Sequence, residues 1–340
     1  MNMVIQKKSF TSYWPRLGGA FLLFALSVFA KDYPLSDHYD GKKFFNPSEN
    51  QLLSFWQLLK WKMNNSSAAW PVHVPNKIYP SAVLSPDKRA VVTFINHATF
   101  LLQYQDLIVL TDPIFSSKAS PSNYFGPHRI REPGLKIEEL PKIDVIIISH
   151  NHYDHMDLES LKIIDAKFKP LVLVPLGDEK LLLESGIQNV REMDWWQEEI
   201  IRGHRIVFTP AQHWSARGFF DQCRSLWGSY FIESPGFKTY FGGDTGYSEH
   251  FNQTRHRLGA PDLALLPIGA YAPEELMRVN HMTPEDAIRA HGDLKSALTV
   301  GMHFGTFQLT DETLEAPVER IEKAKVEKFI VLDIGESKAF

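Results

Sequence analysis

The sequence lacks several features on which other classes of protein depend. It contains a single cysteine, Cys223, so no disulfide can form within its 340 residues. The formal net charge of -4 leaves no surplus of basic residues, which a surface that binds nucleic acid needs. Low-complexity stretches and internal repeats are also absent, which argues against disorder and against a repeat architecture. The chain is therefore expected to be globular and to bind no nucleic acid.

A long apolar run is also missing. The run near the N-terminus covers residues 17–30, whereas a helix that spans a membrane needs about 20 apolar residues. Lys7, Lys8 and Arg16 precede this run, a layout typical of a cleaved secretory signal, and an uncleaved anchor is the alternative. We expect residues 1–30 to be one of these. The protein would then be periplasmic in a bacterium, or associated with a membrane through this segment.

Residues 31–88 form a loop-rich lead-in with one predicted amphipathic helix. Asn46 can cap that helix, Pro47 suits its first turn, and Glu49 stands three residues after the cap. Apolar side chains recur at helical spacing, at Leu52, Leu53, Phe55, Trp56, Leu59 and Met63. This stripe either packs on the body of the protein, which is the more common outcome, or lies on a membrane surface.

From residue 89 to residue 340 the pattern changes to short β-rich runs with helices between several of them. The predicted strands are 91–95, 100–104, 107–111, 145–149, 171–174, 206–209, 230–233, 238–241, 263–267 and 298–303. Helices are predicted after Asp157, at 178–184, from the cap at Thr283 and at about 314–325. Clustered strands with helices between them favour an α/β domain of two mixed sheets flanked by helices over a single doubly wound sheet.

The strongest chemical signal is the run His150-Asn151-His152-Tyr153-Asp154-His155, which follows a strand that is apolar on both faces. Imidazole and carboxylate groups are ligands that suit zinc, iron or manganese. His150 and His152 project to the same side of an extended backbone and can bind one ion, and Asp154 and His155 can bind a second. Unpaired polar groups buried there would cost roughly several kcal/mol, so a purely structural role explains the run poorly.

Three further residues are candidates to complete the site. His213, Asp244 and His303 follow or end the predicted strands at 206–209, 238–241 and 298–303. The ends of strands are where α/β enzymes tend to build their sites. Each of the three, taken alone, is explained equally well as a surface or core residue, so the case for them depends on the order of the motifs.

That order carries a resemblance to a known family. His-x-His-x-Asp-His, a lone histidine, a Gly-Asp pair and a last histidine resemble the metallo-β-lactamase superfamily, whose fold is an αββα sandwich with metals at one edge of the two sheets. Further motifs are similar to those of the N-acylphosphatidylethanolamine-hydrolysing phospholipase D family. They are residues 111–117, 149–155, 194–196, 227–230, 243–247, 267–271 and 303–307. The resemblance covers most of residues 89–337.

The resemblance implies a role for each matching residue. It puts His150, His152 and His213 on one ion, Asp154, His155 and His303 on the other, and Asp244 between the two. His281 matches a histidine beside the metals that contacts the phosphate or helps to protonate the leaving group, with a capping or surface role as the alternative. Asp112 is a candidate to orient a ligand rather than to bind metal, with a turn aspartate before Pro113 as the alternative, and His97 is a weaker candidate for the same role. Asn96 stands where the family more often has glycine, and this departure leaves the ligands untouched.

The mechanism that the resemblance implies uses two Zn²⁺ ions, with manganese or iron as alternatives. The ions would share a water, lower its pKa and contact a phosphoryl oxygen. The resulting hydroxide would attack the phosphorus of a phospholipid substrate and release phosphatidate and an N-acylethanolamine. Asp154, Asp244 and His281 are the residues expected to act in catalysis. The aromatic residues near the motifs, which suit either an acyl chain or the core, are Trp195, Trp196, Trp214, Phe219 and Phe220.

Two other functions stay open at this point. One is the same chemistry on a small soluble phosphodiester or a sugar-phosphate lactone. The other is a non-catalytic envelope protein that binds metal or lipid through a retained fold. Activity that depends on phospholipid micelles would favour the lipid substrate, and bound metal without turnover would favour the non-catalytic protein.

Overall fold

The computed structural model describes residues 33–48, 55–64, 67–80, 82–122, 124–218 and 220–340. The predicted signal or anchor at residues 1–30 lies outside these ranges. Within them, no helix is both long and apolar enough to cross a membrane. On that finding, the prediction of export, or of membrane association through the N-terminal segment, is wrong and we withdraw it.

The strands of the described residues form two sheets of seven strands each. The first is built from β1 (Ala90–Asn96), β2 (Thr99–Tyr104), β3 (Ile108–Thr111), β4 (Val145–Ile147), β5 (Leu171–Pro175), β6 (Val190–Met193) and β14 (Ser337–Ala339). Their order across the sheet is β14-β1-β2-β3-β4-β5-β6. Pairing is antiparallel from β14 to β3 and parallel from β3 to β6.

The second sheet repeats this arrangement. Its strands are β7 (Glu198–Ile201), β8 (His204–Thr209), β9 (Ser229–Ser234), β10 (Phe237–Phe241), β11 (Leu263–Pro267), β12 (Leu298–Met302) and β13 (Phe329–Val331). They follow the order β13-β12-β11-β10-β9-β8-β7, antiparallel from β7 to β10 and parallel from β10 to β13. Each sheet thus joins an antiparallel half to a parallel half.

Seven α-helices lie in the described part of the chain. They are α1 (Phe55–Asn64), α2 (Leu158–Phe168), α3 (Glu179–Glu184), α4 (His250–Leu258), α5 (Glu274–Met277), α6 (Pro284–Leu294) and α7 (Ala316–Ala324). Two of them begin at caps that the sequence predicted. Asp157 accepts a hydrogen bond from the Glu159 amide at the start of α2, and Thr283 accepts one from the Asp286 amide at the start of α6.

Three hydrophobic clusters hold these layers together. The largest lies between the two sheets and combines Phe94 and Phe100 of the first sheet with Phe208 and Phe241 of the second. A second cluster joins the outer face of the first sheet to α2 and α3, and a third joins the outer face of the second sheet to α4, α6 and α7. The layer order is therefore helix, sheet, sheet, helix, which confirms the predicted αββα sandwich.

The lead-in differs from its prediction. Trp56 and Met63 of α1 are each 74% exposed, so their part of the apolar stripe does not pack on the body as expected. Trp61 of α1 is buried, and its indole donates a hydrogen bond to Asp311. The helix was predicted to begin at Pro47, but Pro47 and Ser48 are not helical, and residues 49–54 lie outside the described ranges. The side chain of Asn46, predicted as the helix cap, contacts the segment that carries His213.

Candidate metal centre

The candidate ligands gather at one edge of the sandwich. Asp112 follows β3, residues 149–156 follow β4, Asp244 follows β10, and His303 follows β12. His213 comes after β8, which runs parallel to β10 because both pair antiparallel with β9. The topology therefore brings segments that are distant in sequence to the same end of the two sheets, which is the outcome expected for an α/β active site.

Three histidines form the first group of the centre. The Nε2 atom of His150 lies 2.8 Å from Nδ1 of His152, and Nε2 of His213 lies 3.3 Å from the same Nδ1. Nitrogen atoms that bind one tetrahedral ion at about 2.0 to 2.1 Å stand roughly 3.3 Å apart. The spacing of these three nitrogens therefore suits a shared ion.

Asp154, His155 and His303 form the second group. Nε2 of His303 lies 3.2 Å from Nε2 of His155 and 3.3 Å from Oδ2 of Asp154. Nε2 of His155 is 3.4 Å from the same carboxylate oxygen. These separations again suit atoms that surround one ion.

Asp244 lies between the two groups. Its Oδ2 atom is 3.1 Å from Nε2 of His303 and 3.2 Å from Nε2 of His155, on the side of the second group. The same atom is 3.9 Å from Nε2 of His213, on the side of the first. The other oxygen, Oδ1, is buried and makes no hydrogen bond within the described residues. The carboxylate is placed where a ligand shared by two ions would stand.

The charges of the centre also fit cations. Asp112, Asp154 and Asp244 are all buried, and in the described part of the chain no lysine or arginine lies within ion-pair distance of their carboxylates. Their neighbours are histidines. Buried carboxylates without positive partners are costly, and bound cations would supply the missing charge.

The hydrogen bonds of the imidazoles show which ring nitrogens carry lone pairs. Nδ1 of His213 donates to the Asn280 carbonyl at 2.9 Å, and Nδ1 of His155 donates to Oδ2 of Asp112 at 2.7 Å. In a neutral ring the opposite nitrogen, Nε2, then offers a lone pair. Burial lowers the pKa of His150 and His213, which keeps both rings neutral. In the first group, lone pairs therefore converge without donors, which is what a metal requires. In the second group the carboxylates of Asp244 and Asp154 raise the pKa of His155, and that of His303 to about 9, so a bound metal would replace protons on these rings.

Asp112 holds the centre from behind through two neighbours. It accepts hydrogen bonds from the backbone amide and the hydroxyl of Ser149, at 2.7 and 2.6 Å, in addition to the bond from His155. Since the hydroxyl of Ser149 donates to Asp112, it accepts from Nδ1 of His150 at 2.9 Å. One carboxylate thus contacts a histidine of the second group directly and one of the first group through Ser149, and its role in orienting ligands stays a prediction.

His97 contacts the second group. Its Nε2 donates to Oδ2 of Asp154 at 2.9 Å, and its backbone carbonyl accepts from the amide of His303 at 2.7 Å. His97, Asp112 and His303 all have positive φ angles, of 48°, 31° and 61°. Such angles are uncommon outside glycine and persist only where the surroundings enforce them, which is frequent at functional sites.

His281 lies beside Asp244, with its ring 5.1 Å from that of His213 and 5.8 Å from that of His303. Its Nδ1 atom is 3.8 Å from Oδ2 of Asp244 and makes no hydrogen bond within the described residues. Its side chain is 16% exposed, whereas the rings of His213 and His303 are fully covered. Burial lowers the pKa of His281. This histidine therefore stands at the more open side of the centre, where a substrate would approach.

The aromatic residues near the motifs differ in their burial and in their distance from the centre. Trp195 is buried in the core between the sheets, and Trp196 packs against it. Trp214 lies beside the centre, with its ring 4.4 Å from that of His152. Phe220 is 95% exposed, and Phe219 lies outside the described residues. Only Trp214 among these contacts a candidate ligand in the described part of the chain.

Several contacts to the ligands could not be read from the sequence. The carbonyl of Asn280 fixes the ring of His213, and the amide of Asn46 donates to the His213 carbonyl at 2.8 Å. Asn151 donates to Asp178, a carboxylate whose pKa burial raises to about 7. Backbone carbonyls leave no trace in the residue pattern, and the side-chain partners come from segments far along the chain. Of the residues that make these supporting contacts, Ser149 and Asn151 stood within a recognised motif.

Comparisons with known proteins place the chain among metallohydrolases. Residues 108–304 match the model of a family described as the beta-lactamase superfamily domain. An uncharacterised protein of Mycobacterium tuberculosis is 37% identical over 279 residues, which cover 80% of this chain and 73% of that protein. The N-acyl-phosphatidylethanolamine-hydrolyzing phospholipase D 1 of Caenorhabditis elegans is 33% identical over 264 residues, or 72% of this chain and 74% of the relative.

A solved structure supports the fold. Igni18, a metallo hydrolase from the archaeon Ignicoccus hospitalis, aligns with a TM-score of 0.56 at 23% identity. The alignment covers 74% of this chain and 98% of Igni18. At this level of identity the likeness concerns the arrangement of the sheets and helices, and it agrees with the sandwich described above.

Proposed function

Since the chain belongs to the beta-lactamase superfamily and, within it, to the family of the N-acyl-phosphatidylethanolamine-hydrolysing phospholipases D, we propose that it cleaves the phosphodiester bond of such a phospholipid. It is a metal-dependent hydrolase with candidate metal-binding clusters of histidine and aspartate. The proposed products are phosphatidate and an N-acylethanolamine. A fold alone does not set a substrate, so the lipid rests on the relatives and the hydrolysis on the site.

The observation that carries the proposal is the position of Asp244 between two groups of ligands. One ion would be held by His150, His152 and His213, and the other by Asp154, His155 and His303. Support for this division comes from the spacing of the ligand atoms and from the buried carboxylates that no basic side chain neutralises in the described residues. Two divalent ions, zinc or alternatively manganese or iron, would supply a water of lowered pKa and positive charge for a phosphoryl oxygen.

The chain's own residues keep the ligands in place and position the substrate. An oxygen of Asp154 and one of Asp244 each lie 3.4 Å or less from ring nitrogens of His155 and His303, so these carboxylates would hold the ligands of the centre together. The Nδ1 atom of His281 is buried, faces Asp244 and makes no hydrogen bond within the described residues, while the side chain is 16% exposed. We propose that this ring donates a proton to the leaving alcohol or contacts the phosphate. Trp214, beside His152, offers an apolar surface for the lipid next to the centre.

The test is an assay of the purified, metal-analysed chain on a panel of substrates with products identified by mass. The panel contains N-acylated phosphatidylethanolamines, phosphatidylcholine, a soluble phosphodiester and a sugar-phosphate lactone, with and without detergent micelles. We expect phosphatidate and N-acylethanolamine from the first substrate, with activity that depends on micelles. Asp244→Asn should remove most of this activity because it weakens the shared ligand.

Three outcomes would each contradict a part of the proposal. Turnover of only the soluble phosphodiester or the lactone would move the substrate class away from lipids. Full activity of Asp244→Asn with wild-type metal content would remove the role assigned to Asp244. Bound metal without turnover of any substrate in the panel would contradict hydrolysis of phosphodiesters altogether.

A further inference from the structure

Arg217 contacts both ends of the turn that carries three of the candidate ligands. Its Nη1 atom donates to the backbone carbonyl of Asn151 at 2.9 Å and to that of Met156 at 2.8 Å. These two carbonyls bracket residues 152–155, which include ligands assigned to both ions. A single guanidinium therefore links the two ends of the turn by hydrogen bonds.

The contact is reciprocal. The guanidinium lies over the ring of Tyr153, 4.1 Å from its centroid, and the Tyr153 hydroxyl donates to the backbone carbonyl of Arg217 at 2.8 Å. A planar guanidinium with several donors suits this combination of stacking and hydrogen bonds, and a lysine ammonium does not. The turn and the loop that contains Arg217 are thus fastened to each other at four points.

The loop that contains Arg217 also carries a ligand. Arg217 follows His213 by four residues, and its own backbone amide donates to Oδ2 of Asp221 at 3.1 Å. Gly218 donates to the other oxygen of Asp221 at 2.8 Å, which orders the loop beyond Arg217. Since the turn presents His152 and the loop presents His213, the arginine joins two segments whose ligands must meet at one ion.

In the described part of the chain no ion pair explains the position of Arg217. Burial lowers the pKa of its guanidinium, and the nearby charges of Asp178, Asp157 and Asp221 offset this only in part. Among the described residues no carboxylate lies within ion-pair distance of its guanidinium, and both of its side-chain hydrogen bonds go to backbone carbonyls. A cation near a site for divalent cations opposes their binding by Coulomb repulsion. What the side chain contributes is therefore the geometry of the turn.

We propose that Arg217 is a positioning residue that clamps the turn 151–156 to the His213 loop and so sets the affinity of the centre for its ions. This inference rests on the proposed metal site. Residues that orient metal ligands from outside typically change metal affinity by about 10- to 100-fold when they are replaced. The effect of losing the clamp should fall in that range.

The test measures metal binding directly. The metal-free full chain and its variants are titrated with Zn²⁺ against a competing chelator, and with Co²⁺, whose visible spectrum reports the ligand geometry. Arg217→Met should bind both metals about 10- to 100-fold more weakly and change the Co²⁺ spectrum. Arg217→Lys should show a smaller loss because it keeps a donor and loses the stacking on Tyr153.

Arg224→Met is the matched control. Arg224 lies in the same loop, is exposed, and makes no side-chain contact in the described part of the chain, so its variant should bind metal like the wild type. Chemical unfolding of the metal-free proteins shows whether each variant folds. If Arg217→Met does not fold, the metal affinity and the Co²⁺ spectrum of Arg217→Lys test the inference.

Wild-type affinity and an unchanged Co²⁺ spectrum in a folded Arg217→Met or Arg217→Lys would overturn the inference. A wild-type chain that binds neither metal would instead overturn the proposed metal site itself, so the two failures are distinguishable.

Discussion

Asp112 shows how much of the centre depends on a residue that binds no metal in our assignment. Its carboxylate accepts from His155 and from Ser149, and Ser149 in turn accepts from His150. The side chain is fully buried, and burial raises the pKa of its carboxyl group. A charge at this depth is stabilised by the bond from His155, so each of the two residues fixes the state of the other.

We expect Asp112→Asn to weaken metal binding by about 10- to 100-fold while the chain stays folded. Asparagine tolerates the positive φ of 31° at this position, and its one acceptor oxygen cannot accept all three bonds that the two carboxylate oxygens accept. Chelator competition with Zn²⁺ is the measurement. Asp144→Asn is the control. Asp144 directly precedes β4, at the end of that strand away from the candidate ligands, and its side chain accepts from the Ile108 amide. Equal affinity in the two variants would show that Asp112 orients nothing.

At the scale of elements, the lead-in is part of the centre rather than a separate attachment. Asn46 is buried, donates to the His213 carbonyl at 2.8 Å and accepts from the Trp227 indole at 3.0 Å. Ser48 adds a hydrogen bond to the side chain of Gln212, next to the ligand. The lead-in therefore holds the His213 segment through contacts separate from those of the arginine clamp.

Replacing Asn46 with leucine should destabilise the protein by about 1 to 3 kcal/mol, because it leaves the His213 carbonyl without its buried donor. The Trp227 indole keeps a second acceptor, the Ala211 carbonyl at 3.1 Å, so the loss concerns His213. Denaturant unfolding of the metal-free chain measures the stability, and a stepwise Zn²⁺ titration should show one ion weakened more than the other. Ser48→Ala, at an exposed position, should change the stability by less than about 0.5 kcal/mol. Similar small effects of both substitutions would refute the role of Asn46.

The strands that the sequence predicted and those it missed differ in position. All ten predicted runs are strands, with ends displaced by a few residues at most. The four that escaped prediction, β6, β7, β13 and β14, are the outermost strands of the two sheets. Edge strands are short and half-exposed, so they lack the continuous apolar run that marks a buried strand. Glu198 and Glu199 in β7 illustrate this, since neither is buried.

The candidate ligands were predictable for a related reason. His150 to His155 follow a strand that is buried on both faces. Such a strand can be recognised in the sequence as an apolar run, and its end marks the start of the loop that carries the ligands. The distal ligands needed the order of motifs in a family, since no local pattern links His213, Asp244 and His303. Neither the strand pattern nor the order of motifs could predict the contacts of Arg217 and Asn46. A hydrogen bond between segments more than 60 residues apart depends on the tertiary packing of the folded chain.

For the whole molecule, the two sheets form a rigid frame whose matching ends bring distant segments to a single centre. Each sheet contributes ligands from the ends of its strands, and the hydrophobic cluster between the sheets fixes their separation. The fold thus supplies a preorganised set of ligands, which lets bound ions act on a substrate without rearrangement of the chain. At this scale the proposed function requires two cations joined by Asp244.

The metal content of the purified full-length chain tests that claim most directly. The protein is saturated with Zn²⁺, freed of loosely bound ions, and analysed for metal per chain beside Asp244→Asn and Arg224→Met. We predict two tightly bound ions in the wild type and in Arg224→Met, and the loss of at least one in Asp244→Asn. A wild-type chain that retains no ion, or an Asp244→Asn chain that retains both with wild-type affinity, would contradict the two-cation centre.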